Sequence, residues 1–488
     1  MQHPVDILVP AYAPWPVSRY ELELVVSQSN KNRELIVISC DGSLSFCPIR
    51  DLDKNFTCKE CQAFRAKQIA IFERLTQYKK VTTASISRGI DIEATNERGL
   101  EKTNREIYSK STAMTVFKSK DAAINNPSTY QKILQDYDLG YNLGSNFFKN
   151  YNVVNCTIFN ARISFYRAFF DIARKVGNTA RVYEVPMIGE ENFIVTENYS
   201  IVDRNKWSID LLNFVTQMKT NLSHSQYQKK CDEAQKWFED RVEYINSKNS
   251  GAFANKPYLA VTAKNKLPSF IASNPELQLV SYFVSSDFEL VGIPEIENSF
   301  QTDQFELVST LAKWADEGHF KLVIRLHPNM SNSPVQDIEL YGNLSRNTKF
   351  IEVVMPSEDI DSYALAKASD HVVTSGSTIG LEAAYLGMNT TVCGASHYSA
   401  FNIARHVSTI DELMLVLKQP NEKRPELSEI QGRCLDMIIS LKYFNTAARV
   451  THKFQGIVFY HKNFSFGSMI PTISIVKKIY RRLTNYGR

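Results

Sequence analysis

Short apolar runs of strand length alternate with longer helical stretches along this chain, which predicts an α/β protein built as two Rossmann-like halves. Two further observations support that expectation. A Gly-, Asn-, Ser- and Pro-rich segment, "NSKNSGAFANKP" (246–257), reads as a linker. At 488 residues the chain is also too long for one ordinary core. The predicted boundaries are 1–250 for a first domain with a Cys-rich loop, 258–420 for a second, and 421–488 for terminal helices and a basic tail.

In the first half, "DILVP" (6–10) and "ELIVIS" (34–39) have the apolar, β-branched content of strands, and a polar, helix-rich stretch follows from about 62 to 150. "NVVNCTIFN" (152–160) is a strand feeding the helix "RISFYRAFFDIARKVG" (162–177), and "ARVYEV" (180–185) follows. Residues 205–250 read as polar helix. In the second half the strands are "LQLVSYFV" (277–284), "KLVIRLHP" (321–328), "KFIEVV" (349–354), "DHVVTSG" (370–376) and "NTTVCG" (389–394). Near-continuous apolar runs of this kind suit parallel strands covered on both faces.

The net charge of +4 is too small to point to nucleic acid as a partner. The start, "MQHPVDILVP", lacks the basic and apolar regions of a secretory signal, and no apolar run is long enough to span a bilayer. The expected location is cytoplasmic, with peripheral contact at the inner face of the cell membrane open. In that compartment the eight cysteines are expected as thiols or metal ligands rather than disulfides.

"HVVTSGSTIGLEAAYLG" (371–387) is a strand, a turn of small hydroxyl residues and a helix. Ser375, Gly376, Ser377 and Thr378 at that junction suit helix capping. They equally suit a phosphate site, because main-chain N–H groups and the helix dipole attract anions there. "RLHPN" ends another strand, at the sheet edge where ligands bind in open α/β folds. Arg325 and His327 can meet phosphate, and Pro328 holds His327 extended. Glu382, in the first turns of the helix after the serines, is placed to accept from a ribose diol.

"RLHPN" followed some fifty residues later by "SGSTIGLEAAYLG" resembles the second-domain signature of bacterial capsule and lipopolysaccharide glycosyltransferases of the GT-B fold. These include the Kdo-transferase-like capsule family. The resemblance implies two Rossmann-like domains facing across a cleft. It implies a nucleotide-sugar donor, CMP-linked in some members, held by His327, Ser375, Gly376, Ser377, Thr378 and Glu382 with Arg325 as a supporting cation. Gly376, between the two serines, departs from the family's pattern: small size is kept there but one hydroxyl is lost. "FVSSDFE" (283–289) and "TDQFE" (302–306) resemble the family's strand-end serines and the Gln-bearing start of the next helix.

"CDGSLSFCPIRDLDKNFTCKEC" places Cys40, Cys47, Cys58 and Cys61 within 22 residues. The final Cys-x-x-Cys has metal-ligand spacing, so zinc or an iron–sulfur cluster is expected, with buried free thiols or a stress-induced disulfide as the other readings. An inverting transfer needs a group to take the acceptor's proton. Asp91, Glu184 and Asp41 are the candidates, in that order. Arg88, Asn160 and Arg162 are expected beside them on the acceptor side, Asn160 and Arg162 in a turn, "FNAR", that resembles the "FNGR" of polysaccharide-biosynthesis proteins.

The tail "MIPTISIVKKIYRRLTNYGR" sets an apolar helical stripe between cations, which suits an anionic membrane surface or packing on its own domain. The expected function is transfer of a sugar from a nucleotide-activated donor to a growing glycan or lipid-linked glycan, O-antigen or capsule. No divalent metal is required by that scheme. A nucleotide-sugar isomerase, a polyol-phosphate transferase and a non-catalytic glycan-binding component remain the alternatives on the same scaffold.

Overall fold

The computed structural model describes residues 3–12, 18–52, 57–89, 100–119, 121–184, 188, 194–242, 265–286, 293–297, 299–418 and 425–444. Its strands form two six-stranded sheets. The first contains β1 (Pro4–Val9), β2 (Glu34–Ser39), β3 (Lys80–Ser85), β4 (Asn152–Phe159), β5 (Thr179–Glu184) and β6 (Ile194–Glu197), in the order β3-β2-β1-β4-β5-β6. All neighbours pair in parallel except β6, which returns antiparallel on β5. The second contains β7 (Leu279–Phe283), β8 (Lys321–Arg325), β9 (Ile351–Val354), β10 (His371–Thr374), β11 (Thr390–Cys393) and β12 (Arg405–Val407), in the order β12-β11-β10-β7-β8-β9. Every pairing in it is parallel.

Both sheets carry the topological switch of doubly wound folds. The chain runs outward from β1 through β2 and β3, then returns to the other side of β1 as β4. The second half repeats this from β7 through β8 and β9, returning to β7 as β10. The loops after β1 and β4, and those after β7 and β10, therefore splay apart and leave a crevice at the carboxyl edge of each sheet.

The expected α/β architecture is present, and three edge strands add to it. β3 lies inside the stretch read as helical: KVTTAS is an edge strand with only two apolar residues, Val81 and Ala84, which are its two buried positions. β6 and β12 are four- and three-residue edge strands, too short to show a period.

Helix contacts in the first half are close because glycines permit them. In the Pro127–Asn150 helix, a Cβ at Gly140 would lie 2.6 Å from the Phe165 carbonyl oxygen, and one at Gly144 would lie 2.6 Å from Ile172 Cγ2. The Ser164–Lys175 helix thus sits against bare backbone.

The helices Arg204–Asn221 and His224–Val242 fall within 1–250 in sequence, yet most of the core they share beyond themselves comes from the second half, with Ile188, Ile194 and Tyr199 from the first. Trp207, Leu211, Val215 and Phe238 share a buried cluster with Leu381, Met437 and Ile438. Phe238 stacks on Tyr385 with ring centroids 3.9 Å apart. The Leu427–Tyr443 helix completes this cluster. The linker read at 246–257 and the basic tail lie outside the described residues. Among those that are described, no helix is long and apolar enough to cross a membrane.

Candidate functional site at the carboxyl edge of the second sheet

The crevice between β7 and β10 is tied together by their own side chains. Thr374 Oγ1 donates to the Phe283 carbonyl at 3.1 Å, and the Tyr282 and Ser375 hydroxyls are 2.6 Å apart. Gln304, at the start of the Gln304–Asp316 helix, grips Ser285, two residues past β7, from both sides. Its Oε1 accepts from Ser285 N–H at 2.8 Å and its Nε2 donates to Ser285 O at 3.0 Å. The Ser285 Oγ enclosed there has no hydrogen-bond partner among the described residues, although Ser285 is only 7% exposed. A buried, unsatisfied hydroxyl at a switch point is a mark of a ligand position.

Beside it the Thr378–Tyr385 helix begins at Ser377, whose side chain makes no capping bond. The first-turn N–H groups of a helix have no intrahelical acceptor. Here Gly380 N–H closes onto Ser377 O at 3.1 Å, and those of Thr378 and Ile379 receive no side-chain cap from Ser377, which favours the anion reading of this loop over the capping one. Gly376 turns the chain with φ +80°, and a Cβ there would come within 2.8 Å of both the Ala395 carbonyl oxygen and Arg204 Nη1. Only glycine fits both constraints.

His327, at the end of β8, is extended (φ −64°, ψ 134°), as the following Pro328 requires. Its Nδ1 accepts from Asn329 N–H at 3.0 Å, which places the ring proton of the neutral form on Nε2. Two other expectations are corrected by the geometry. Arg325 is 3% exposed and is turned along the sheet edge, with Nη1 donating to Met355 O at 2.7 Å. It clamps the loop after β9 rather than facing the serines. Glu382 is 2% exposed. Arg241 Nε and Nη2 lie 2.8 and 2.7 Å from its Oε1, and Tyr363 Oη donates to its Oε2 at 2.8 Å. The carboxylate expected to hold ribose is instead the buried ion-pair partner that docks the His224–Val242 helix.

The cation that does reach the serine loop is Arg204, which no sequence motif marked. It is the first residue of its helix, and its Nη1 is 3.5 Å from Ala395 O. Its only signal in the sequence is Asp203, a helix N-cap accepting from Lys206 N–H at 3.1 Å. Nearby His397 is buried against Trp207. Burial first, and then the Arg204 charge, press its pKa down to about 3, so the imidazole is neutral.

In the first half, Asn160 follows β4 and Glu184 ends β5, and Asn160 Nδ2 donates to the Glu184 carboxylate. Asn160 and Ala161 both have left-handed φ (60° and 51°) in the "FNAR" turn. Asn160 Oδ1 accepts from Arg162 N–H at 3.1 Å, and the Arg162 guanidinium donates to Thr115 Oγ1. Asn160, Arg162 and Glu184 are thus brought to one edge. Asp41 is a different case. Burial raises its pKa, but hydrogen bonds from Ser43, Ser85 and Ser87 outweigh this and hold it at about 2, an ill-matched base at neutral pH. Asp91 and the Arg88 side chain lie outside the described residues.

Cys40, Cys47, Cys58 and Cys61 line one cavity of about 50 Å³ with Tyr12, Arg50 and Arg65, beyond the carboxyl ends of β1 and β2. The described geometry lends the expected metal centre no support. Among the described residues no three Cys, His, Asp or Glu side chains converge as a ligand set. Burial pushes the Cys40 thiol up to about 12 and the Cys47 thiol up to about 11, so both are protonated at neutral pH. The cavity wall behind them is a buried network in which Glu21 accepts from Ala11 N–H (2.8 Å) and Tyr183 Oη (2.8 Å), and from Arg65 Nη1 (2.6 Å).

Residues 236–428, which carry the switch-point loops, match the family model for capsule polysaccharide biosynthesis proteins. The second half is thus similar in sequence to capsule polysaccharide biosynthesis proteins. That match bears out the resemblance read from "RLHPN" and "SGSTIGLEAAYLG". No curated protein matches the chain in sequence. Solved structures similar to it include the beta-Kdo 2,4 transferase of Thermosulfurimonas dismutans KpsC, at 14% identity and a TM-score of 0.37 over 61% of this chain and 85% of that one. The beta-Kdo 2,7 transferase of the same protein gives 13% and 0.34 over 61% and 78%. The UDP co-structure of Staphylococcus aureus MnaA gives 12% and 0.28 over 96% and 100%.

Proposed function

We propose that this chain is a glycosyltransferase that moves a sugar from a nucleotide-activated donor to a growing capsule or lipopolysaccharide glycan. One observation supports this reading above the others: the segment that matches the capsule-biosynthesis family carries, at its sheet's switch point, a helix start with no side-chain cap from Ser377, beside Ser285, whose hydroxyl has no partner among the described residues. That is the donor set a nucleotide phosphate uses. In this scheme the Ser375–Thr378 loop and the helix dipole hold the donor phosphate and stabilise the charge it gains as the glycosidic bond breaks. His327 contributes from the end of β8. On the first sheet, Glu184, oriented by Asn160, takes the acceptor hydroxyl's proton. A CMP-linked donor and a lipid-linked acceptor are the finer form of the proposal.

The test is a thermal-shift screen against CMP, UDP, GDP, CDP and dTDP, followed by mass-spectrometric detection of transfer with the sugar form of the nucleotide that binds. A true donor nucleotide at one hundred times its Kd stabilises the fold by roughly 2.7 kcal/mol. A screen in which none of the five shifts the melting curve refutes the donor site.

A further inference from the structure

We propose that Arg204 is a ligand of the donor's phosphate, a role that rests on the donor-site reading above. Its position is set by a rigid element. The Arg204–Asn221 helix is capped by Asp203 and anchored by Trp207, which is 2% exposed. Ser208, one turn in, accepts from Ala400 N–H at 2.8 Å, which fixes the helix against the loop after β11. The guanidinium consequently lies over the turn between β10 and its helix, with Nη1 2.8 Å from the point where any side chain at Gly376 would begin.

Three further observations agree. First, the arginine expected to neutralise phosphate, Arg325, is turned to the Met355 carbonyl, so the serine loop's cation comes from another element. Second, the neighbouring His397 is held neutral by burial and by Arg204, which leaves the guanidinium as the charged group of that pair. Third, Ser285 Oγ is buried without a partner among the described residues at the adjoining strand end. An anion above Gly376 would meet a charged N–H fork on one side and the helix's first N–H groups on the other. A guanidinium matches phosphate in both charge and geometry. The left-handed glycine then has a function beyond the turn, because it is the position that lets the guanidinium approach the loop.

The experiment compares the wild-type chain with Arg204→Gln and Arg204→Lys. Each is titrated by calorimetry with the nucleotide that gives the largest thermal shift, and by saturation-transfer NMR with the matching nucleoside, which lacks phosphate. Urea melts confirm that each variant is folded. Arg204→Gln is expected to bind the nucleotide roughly 10–100-fold more weakly, the loss for one charge-assisted bond, with nucleoside binding unchanged. Arg204→Lys should fall between the two. Equal nucleotide affinity in Arg204→Gln and wild type overturns the role of Arg204 while leaving the donor site standing. A parallel loss of nucleoside binding overturns it too, showing a scaffold residue. A wild-type chain that binds none of the five nucleotides overturns the donor site and this inference together.

Discussion

Replacing Glu382 by Gln separates a binding residue from a structural one. Its carboxylate is 3% exposed and Arg241 opposite is 13% exposed, with two guanidinium nitrogens at 2.7 and 2.8 Å. Glutamine keeps the shape and can still accept from Tyr363, but removes the negative charge. Arginine cannot shed its proton, so the variant must bury an unpaired cation or release the His224–Val242 helix. Breaking a buried pair from one side costs about 3–5 kcal/mol. The lower end applies here, because the glutamine oxygen still receives a hydrogen bond. A loss of about 3 kcal/mol is a large share of a typical 5–15 kcal/mol stability.

Urea unfolding followed by tryptophan fluorescence reads this locally, since Trp207 and Trp237 belong to the cluster that the pair supports. Arg241→Met with Glu382→Leu should recover at least half of the loss, because an apolar pair carries no desolvation penalty. Nucleotide affinity of folded Glu382→Gln should match wild type. An unfolding free energy within about 0.5 kcal/mol of wild type, together with nucleotide binding weakened tenfold, would refute this reasoning and restore the ribose role.

The helix contact in the first half predicts a graded series. Gly144→Ala meets the end of a side chain that can shift, and should cost roughly 1–3 kcal/mol, while Gly140→Ala meets a backbone oxygen and should cost more. Gly432→Ala, with nothing within 4 Å, should stabilise by about 0.5–1 kcal/mol on propensity alone, as urea midpoints will report. Asp136 accepts from Ser45 and Phe46 N–H, but burial outweighs those bonds and raises it to about 7. The folded state then holds a proton that the unfolded state has lost, so stability falls as pH rises from about 4 to about 7. The slope is at most about 1.4 kcal/mol per pH unit. Asp136→Asn should flatten that segment of the stability profile; an unchanged slope would show that another group carries it. Cys40 and Cys47, raised by burial, should alkylate at pH 8 at least roughly 100-fold more slowly than a free cysteine. Peptide mapping after timed iodoacetamide exposure checks this, and alkylation at the free-thiol rate would contradict the protonated cavity.

The sequence by itself determined the two α/β halves and the loops on which chemistry is expected. Fully buried parallel strands such as LVSYF and KLVIR leave continuous apolar runs, and Pro328 and the small residues 375–378 mark strand ends whatever surrounds them. Those are local signals. Tertiary structure alone decided which polar side chains face the crevice. Arg325 and Glu382 occupy positions that sequence spacing makes equivalent to ligands, yet each is claimed by a distant partner: Met355 for one, Arg241 and Tyr363 for the other. Arg204 lies 172 positions before Gly376, on a helix that leaves its own sheet to pack on the other, so no local pattern could mark it. The four cysteines make the same point. Their spacing brings them to one cavity, but convergence on a metal depends on the angles at which the segment after β2 and the Cys58–Leu75 helix present them. A side chain's neighbours in three dimensions are set by long-range packing, and that is where ligand, clamp and core residue part company.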